Sequence, residues 1–178
     1  MVFGEKIVKI GIISDTHGNE SLLKKVIEKN IHIDTWIHAG DGASECGQMK
    51  ELFSDKKFFF VRGNCDNNPE VPHELHISLE GIPFFITHGH REKVKNDFFE
   101  LQWMAHHYKA QVTVFGHTHY QTQFIHDQIF FVNPGSLSSG YDYAILEVGD
   151  GKVGKIEFLK AEKILFTLWN DRFKIDTI

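Results

Sequence analysis

The sequence predicts an α/β fold in which two β-sheets pack together, and three observations carry that prediction. As far as Asp66, apolar strand-like runs alternate with helix-periodic segments, the signature of parallel α/β packing. Beyond Pro69 the rhythm changes to short apolar runs separated by glycine and aspartate turns, which suits antiparallel pairs and a second sheet. Clusters of histidine, aspartate and asparagine follow directly after five of the apolar runs. The fold would therefore gather them at the carboxyl edge, where α/β sheets place ligands.

Residues 6–14 are rich in Ile and Val with little alternation, the pattern of a strand covered on both faces. Leu22, Leu23, Val26 and Ile27 recur at helical spacing within 21–30, and Asn19 or Ser21 can cap that helix. A strand over 35–39, a helix over 45–53 and a strand over 58–61 follow. Segments 74–79 and 83–87 flank a Glu80-Gly81 turn and read as a hairpin. The spacing of Phe98, Leu101, Trp103, Met104 and Tyr108 predicts a long helix over 94–108, and 111–115 is an apolar run ending at Gly116. Segments 121–126, 128–132, 143–148 and 152–159 read as antiparallel strands of the second sheet. The tail from Glu162 suits a last strand or a short helix.

Composition bounds the function. A chain of 178 residues fits one domain, 1–178, with a substantial core. Its net charge of -5 argues against a nucleic-acid duplex as partner, so a phosphate-bearing substrate would need local positive charge. Twelve histidines against 19 Lys plus Arg point to metal ions as that source. Two cysteines, Cys46 and Cys65, with no CxxC spacing, suit a reducing cytoplasm rather than a disulfide framework. The amino terminus shows no signal pattern and no apolar run reaches spanning length, so a cytoplasmic protein without a membrane partner is expected.

The polar clusters are Asp15-Thr16-His17, Gly40-Asp41, Gly63-Asn64-Cys65-Asp66, His88-Gly89-His90 and Gly116-His117-Thr118-His119. Their mixed nitrogen and oxygen donors suit manganese, zinc, iron or nickel, whereas calcium prefers oxygen alone. Seven side chains exceed one tetrahedral zinc. With one bridging carboxylate they would fill two metals roughly 3.5–4 Å apart, a clamp suited to hydroxide attack in line at phosphorus.

In this order the five motifs resemble the calcineurin-like metallophosphoesterases. The Gly-Asn-Cys-Asp variant and Asn133-Pro134-Gly135-Ser136 are similar to the small single-domain phosphodiesterase branch. The resemblance implies a four-layer α/β/β/α sandwich with two mixed β-sheets. It also implies a phosphodiesterase with a metal-bridging hydroxide and two divalent transition-metal ions, manganese foremost, with zinc, nickel or iron as alternatives. By the same resemblance Asp15, His17 and His119 hold one metal, Asn64, His88 and His117 the other, and Asp41 bridges them. The partner is then a small phosphodiester, and sheet edges leave room for a homodimer. Many members carry histidine where this chain has Cys65, so diesters should be preferred over alkyl monoesters, with His90 the local substitute in catalysis beside Asp41 and Asn64. The alternative is a non-catalytic protein-binding scaffold, as in the retromer subunit that resembles this branch, although here every ligand position is intact.

The remaining groups have plainer readings. His38 is expected to be a hydrogen-bonded core residue, and His32, His73, His76, His106, His107 and His126 surface residues. Cys65 is expected to be a packed thiol near the site, Cys46 helix packing, and Asp66 the orienter of a ligand histidine. The phenylalanine pairs and triplet are expected between layers, and Asn133-Pro134-Gly135-Ser136 is either a turn or a support for the metals.

Overall fold

The computed structural model describes residues 7–161, so the tail from Glu162 lies outside the described residues. Strands β1 (Val8–Ile13), β2 (Thr35–His38) and β3 (Lys57–Phe60) alternate with helices α1 (Glu20–Lys29) and α2 (Ala43–Leu52). Hairpin β4 (Glu74–Leu79) and β5 (Ile82–Thr87) turns through Glu80 and Gly81, both at positive φ, as a two-residue turn of the primed type requires. Helix α3 (Phe99–His107), β6 (Val112–Val114), β7 (Gln121–His126), β8 (Ile129–Pro134), the short α4 (Leu137–Gly140), β9 (Asp142–Gly149) and β10 (Lys152–Lys160) complete the chain order.

Two five-stranded sheets result, ordered β10-β9-β1-β2-β3 and β4-β5-β6-β8-β7. Both are mixed. In the first, β1, β2 and β3 are parallel while β9 and β10 add antiparallel; in the second, β5, β6 and β8 are parallel between antiparallel edges. Three apolar layers separate the elements. Leu22, Val26, Met49 and Trp36 fill the space between the helices and the first sheet, Ile12, Ile37, Phe84 and Val114 the space between sheets, and Leu101, Ala105, Phe85 and Phe131 the space under α3. This is the four-layer α/β/β/α sandwich.

Three expectations are corrected. The carboxyl-terminal pair β9–β10 joins the first sheet, not the second. Its strand β9 is buried on both faces, with Tyr143 and Ile145 toward the helices and Ala144, Leu146 and Val148 toward the other sheet, so it needs the interior position beside β1. Helix α3 begins at Phe99 rather than near 94, because Lys93 at positive φ interrupts the pattern and the Asp97 carboxylate takes the Phe99 N–H at 2.9 Å. Val94 packs under α3 from the preceding loop, while Phe99 and Trp103 face outward. The other expected core phenylalanines pack as read, Phe58 and Phe60 on the helix side, Phe59 between sheets and Phe98 under α3. Asn19 is the α1 cap, accepting the Leu22 N–H at 3.3 Å. Among the described residues, no helix is long and apolar enough to cross a membrane.

Candidate metal centre

Each of the five motifs leaves the carboxyl end of a strand, β1, β2, β3, β5 or β6, and all converge on one rim. Backbone bonds stitch the loops together: Asp15 N donates to Gly40 O at 3.0 Å, His17 N to Asp41 O at 3.0 Å, and Gly116 N to His88 O at 3.1 Å. Five of the seven expected ligand residues, Asp15, His17, Asp41, His117 and His119, have φ between 43° and 67°. Left-handed backbone is uncommon for such residues and persists where surrounding structure enforces it, which turns these side chains off the strand axis and into the rim.

Asp15, His17 and His119 form one group of ligand-capable atoms, and Asp15, Asp41 and His88 another. The His119 Nε2 lies 3.0 Å from Asp15 Oδ1 and 3.5 Å from His17 Nε2. Asp41 Oδ2 faces both groups, 3.4 Å from His88 Nε2 and 3.9 Å from His17 Nε2. Asn64 Oδ1 sits 3.2 Å from His88 Nε2. The His117 ring is brought to the same rim, 5.0 Å from that of His88, and joins neither tight group. His90 lies just outside, its ring 5.4 Å from His88 and 6.2 Å from His117.

The donor set fits cations. Asp15 Oδ1 is buried and has no hydrogen-bond donor, whereas Oδ2 takes the Ser14 hydroxyl at 2.5 Å and the His117 N–H at 3.2 Å. One oxygen is thus committed to structure and the other is free, a costly arrangement unless something positive occupies it. His88 Nδ1 donates to Ala39 O at 2.7 Å, which fixes the tautomer and leaves the Nε2 lone pair facing the rim, where it could hold a cation. Asp41 Oδ1 is held by the Cys65 N–H at 2.7 Å, leaving Oδ2 for the pocket. A Cβ on Gly63 would overlap Asp41 Oδ1, and one on Gly116 would overlap Ser14 Oγ, so both glycines are there for close approach.

Electrostatics follow from this packing. Burial works to raise the Asp41 carboxyl, but the His88 ring and the Cys65 N–H outweigh it and hold the group well below the usual carboxylate range. Burial lowers His88, and the Asp41 and Asp15 carboxylates more than offset that, so it is raised. His90 is pushed down to about 4 by burial and by the neighbouring His88, His73 and His117 rings. His117 is likewise pushed down to about 4 by burial, His88 and Lys95. The Cys65 thiol is raised by burial and by Asp41.

Two further expectations are corrected. Asp66 orients no histidine: its carboxylate accepts the backbone N–H of Asp41 at 2.9 Å, Gly42 at 3.0 Å, Ala43 at 2.9 Å and Gly63 at 2.8 Å. It caps α2 from outside, since Gly42 has no side chain to do so, and ties the Asp41 loop to the Asn64 loop. Cys65 is exposed, not packed, and lines a cleft of about 560 Å³ with His17, Asp41 and Asn68. Cys46 is buried against the helix layer as read. Of the histidines expected at the surface, His32, His76, His106, His107 and His126 are exposed, but His73 is half-buried with its Nε2 2.6 Å from Arg62 Nη2.

Support comes partly from residues the motifs do not mark. His38 is buried as expected; its Nδ1 accepts the Gly40 N–H at 3.2 Å and its Nε2 donates to Thr16 Oγ1 at 3.1 Å. Thr16 donates onward to Glu45 Oε1 at 3.0 Å, and the same oxygen takes the Gly18 N–H at 2.5 Å. Glu45 and Ser14 carry no sequence signal, because a helical glutamate and a strand-end serine read as solvated. Asn133 Nδ2 donates to Gly116 O at 2.8 Å and Thr118 Oγ1 at 3.0 Å, and Ser136 Oγ to Asp15 O at 3.1 Å. The Asn133–Ser136 motif therefore braces two of the clusters.

A sandwich of this topology with a rim of histidines and carboxylates defines a metallophosphoesterase-type protein. Residues 8–151 match the calcineurin-like phosphoesterase superfamily domain, and the chain belongs to that superfamily. It is 29% identical over 127 residues to a probable metallophosphoesterase of Bacillus subtilis (strain 168), covering 71% of this chain and 73% of the relative. It is 29% identical over 165 residues to a phosphodiesterase of Methanocaldococcus jannaschii, covering 80% and 91%. Among solved structures, a predicted phosphoesterase from Streptococcus pneumoniae TIGR4 superposes with a TM-score of 0.76 at 26% identity, over 88% of this chain and 91% of that one. Vacuolar Protein Sorting 29 from Cryptosporidium parvum shares the fold, with a TM-score of 0.67 at 15% identity over 86% and 98%.

Proposed function

We propose that this protein is a metal-dependent phosphodiesterase whose centre holds two divalent cations, manganese first among them, with zinc, nickel and iron as alternatives. The observation that carries the reading is the buried, donorless Asp15 Oδ1 facing His17, His88 and His119 beside the shared Asp41. Asp15, His17 and His119 would hold one cation, Asn64, His88 and His117 the other, with Asp41 common to both. Such a pair supplies an activated water for in-line attack and charge neutralisation on the phosphoryl oxygens.

The chain's own groups then divide the remaining work. Asp41, kept ionised by His88 and the Cys65 N–H, fixes the separation of the two ligand groups. Asn64 would present its amide N–H to a phosphoryl oxygen while its carbonyl faces His88. His90, a neutral ring at the outer edge, would contact the phosphoryl group by hydrogen bonding without adding charge. Cys65, a neutral thiol, offers the leaving group little electrostatic help, which favours diesters and activated esters. The complete ligand set favours this reading over a protein-binding scaffold.

The test is hydrolysis of bis(p-nitrophenyl) phosphate by metal-stripped protein with manganese, zinc, nickel or magnesium restored separately. Asp41→Ala and His119→Ala should each abolish the restored rate. Undiminished turnover in both variants would refute the assignment.

A further inference from the structure

Beside the centre lie Arg62 and His73, which the proposed reaction does not use. Arg62, two residues before Asn64, donates from Nη1 to Asn68 O at 3.3 Å and from Nη2 to His73 Nε2 at 2.6 Å. Arginine only donates, so His73 Nε2 is the acceptor and its proton resides on Nδ1. The His73 ring packs 5.8 Å from that of His90, which in turn adjoins His88 and His117. Asn68 lines the same cleft as His17, Asp41 and Cys65. Arg62 is thus fixed between the cleft wall and the outer edge of the metal rim.

Its charge is uncompensated. Among the described residues the Arg62 side chain bonds to Asn68 O and His73 Nε2, neither of them a carboxylate, and Arg62 Nε and His90 Nδ1 are buried without a hydrogen-bond partner. Arg91 acts electrostatically on His73, and Lys95 on His117, so further positive charge surrounds the group. The carboxylate that bears on His73 is Glu74, and it is engaged by the Tyr108 hydroxyl at 3.1 Å. The carboxylates that bear on His90 and His117, Asp41 and Asp15, belong to the metal centre. In a chain of net charge -5, a fixed guanidinium with surplus donors and no anion marks a place where the ligand supplies the anion.

We propose that Arg62, held by His73 and flanked by His90, forms an anion subsite beside the metal centre that selects phosphodiesters carrying a second phosphate group. The inference rests on the phosphodiesterase reading and names its substrate class: a diester with a neutral second arm fills the metal rim alone, and one with a phosphorylated arm fills both.

The test separates the two readings. Calorimetric titration compares thymidine 3′,5′-bisphosphate with thymidine 5′-monophosphate, and hydrolysis of bis(p-nitrophenyl) phosphate is followed in parallel. Wild-type protein should bind the bisphosphate about tenfold or more tightly, with the preference shrinking as salt rises. Arg62→Met should erase the preference, and Arg62→Lys, which keeps the charge, should retain most of it. Both variants should hydrolyse bis(p-nitrophenyl) phosphate at a rate within about twofold of wild type, as expected for a group remote from that substrate's neutral arms. Equal affinity of wild type for the two nucleotides, or an unchanged preference in Arg62→Met, overturns the subsite whatever the hydrolysis shows. If Arg62→Met does not fold, the salt dependence of the wild-type preference decides alone. A wild-type preference without any hydrolysis would overturn the phosphodiesterase reading and leave the anion site standing.

Discussion

Asp66 holds Asp41 by its backbone, 2.9 Å from the carboxylate to the Asp41 N–H, while the Asp41 side chain points away toward the metal rim. The same carboxylate takes three more N–H groups, from Gly42, Ala43 and Gly63. One side chain therefore caps α2, fixes the left-handed turn at Asp41 and sets the spacing of two ligand loops. Asp66→Ala should cost about 2 kcal/mol in denaturant unfolding, from the lost cap and the stranded donors. It should also weaken manganese binding about tenfold, because the loop under a ligand loses its brace. Asp66→Asn, with one accepting oxygen, should fall between wild type and alanine on both readouts; a variant as stable and as tight as wild type would contradict the clamp.

Glu45 closes a chain of bonds from Gly40 through His38 and Thr16 to Gly18, which locks the Asp15–His17 loop against the Asp41 loop. Both of its bonds fall on Oε1, so an amide oxygen reproduces them. Glu45→Gln should match wild type within about 0.5 kcal/mol, whereas Glu45→Ala should lose about 1–3 kcal/mol by leaving two donors unmet. Thermal or denaturant unfolding checks the pair. Equal loss in both would mean that the carboxylate charge, not the bonds, matters.

The rim was legible because its signals are local. An apolar run followed by a cluster of His, Asp or Asn reports a strand end without knowledge of the partners, and all five clusters do follow strands. What escaped depends on distant segments. The hairpin β9–β10 has the same alternation whichever sheet it joins, and only the two-faced burial of β9 decides. Asp66 sits 25 residues from Asp41, so its sequence position beside Asn64 suggested the wrong partner. Phe99 and Trp103 suit a core by type, yet α3 turns Leu101 and Ala105 inward and leaves those two facing outward.

Glu92 is buried and accepts the Thr87 hydroxyl at 3.1 Å, just before the His88 loop. Burial raises its pKa above the ordinary value of 4.5 despite that bond. A carboxyl raised on folding binds more protons in the native state between the two pKa values, so its cost is absent below the unfolded pKa, grows as pH rises past it and is complete above the native one. Glu92→Gln should therefore melt with wild type below pH 4.5 and at a higher temperature than wild type at neutral pH, the gap opening as pH rises above 4.5 and levelling off beyond the raised native pKa. Melting curves at successive pH values give the result; a gap independent of pH would show that the charge is not the cause.

Cys65 stands where many family members place histidine, exposed at the cleft with its thiol kept protonated. An alkyl monoester needs its leaving alkoxide protonated or stabilised, and a thiol of raised pKa supplies neither charge nor an acid of suitable strength. Wild-type protein should thus turn over bis(p-nitrophenyl) phosphate faster than glycerol phosphate. Cys65→His should raise the glycerol phosphate rate about a hundredfold, the lower end of what a positioned acid contributes. Cys65→Ser, which keeps a small neutral group, should leave the diester rate within about twofold, because the backbone N–H at this position still holds the Asp41 carboxylate and a serine hydroxyl can replace the thiol's own contact with it. A wild-type enzyme that prefers glycerol phosphate would place the acid elsewhere in the cleft and remove the thiol from the argument.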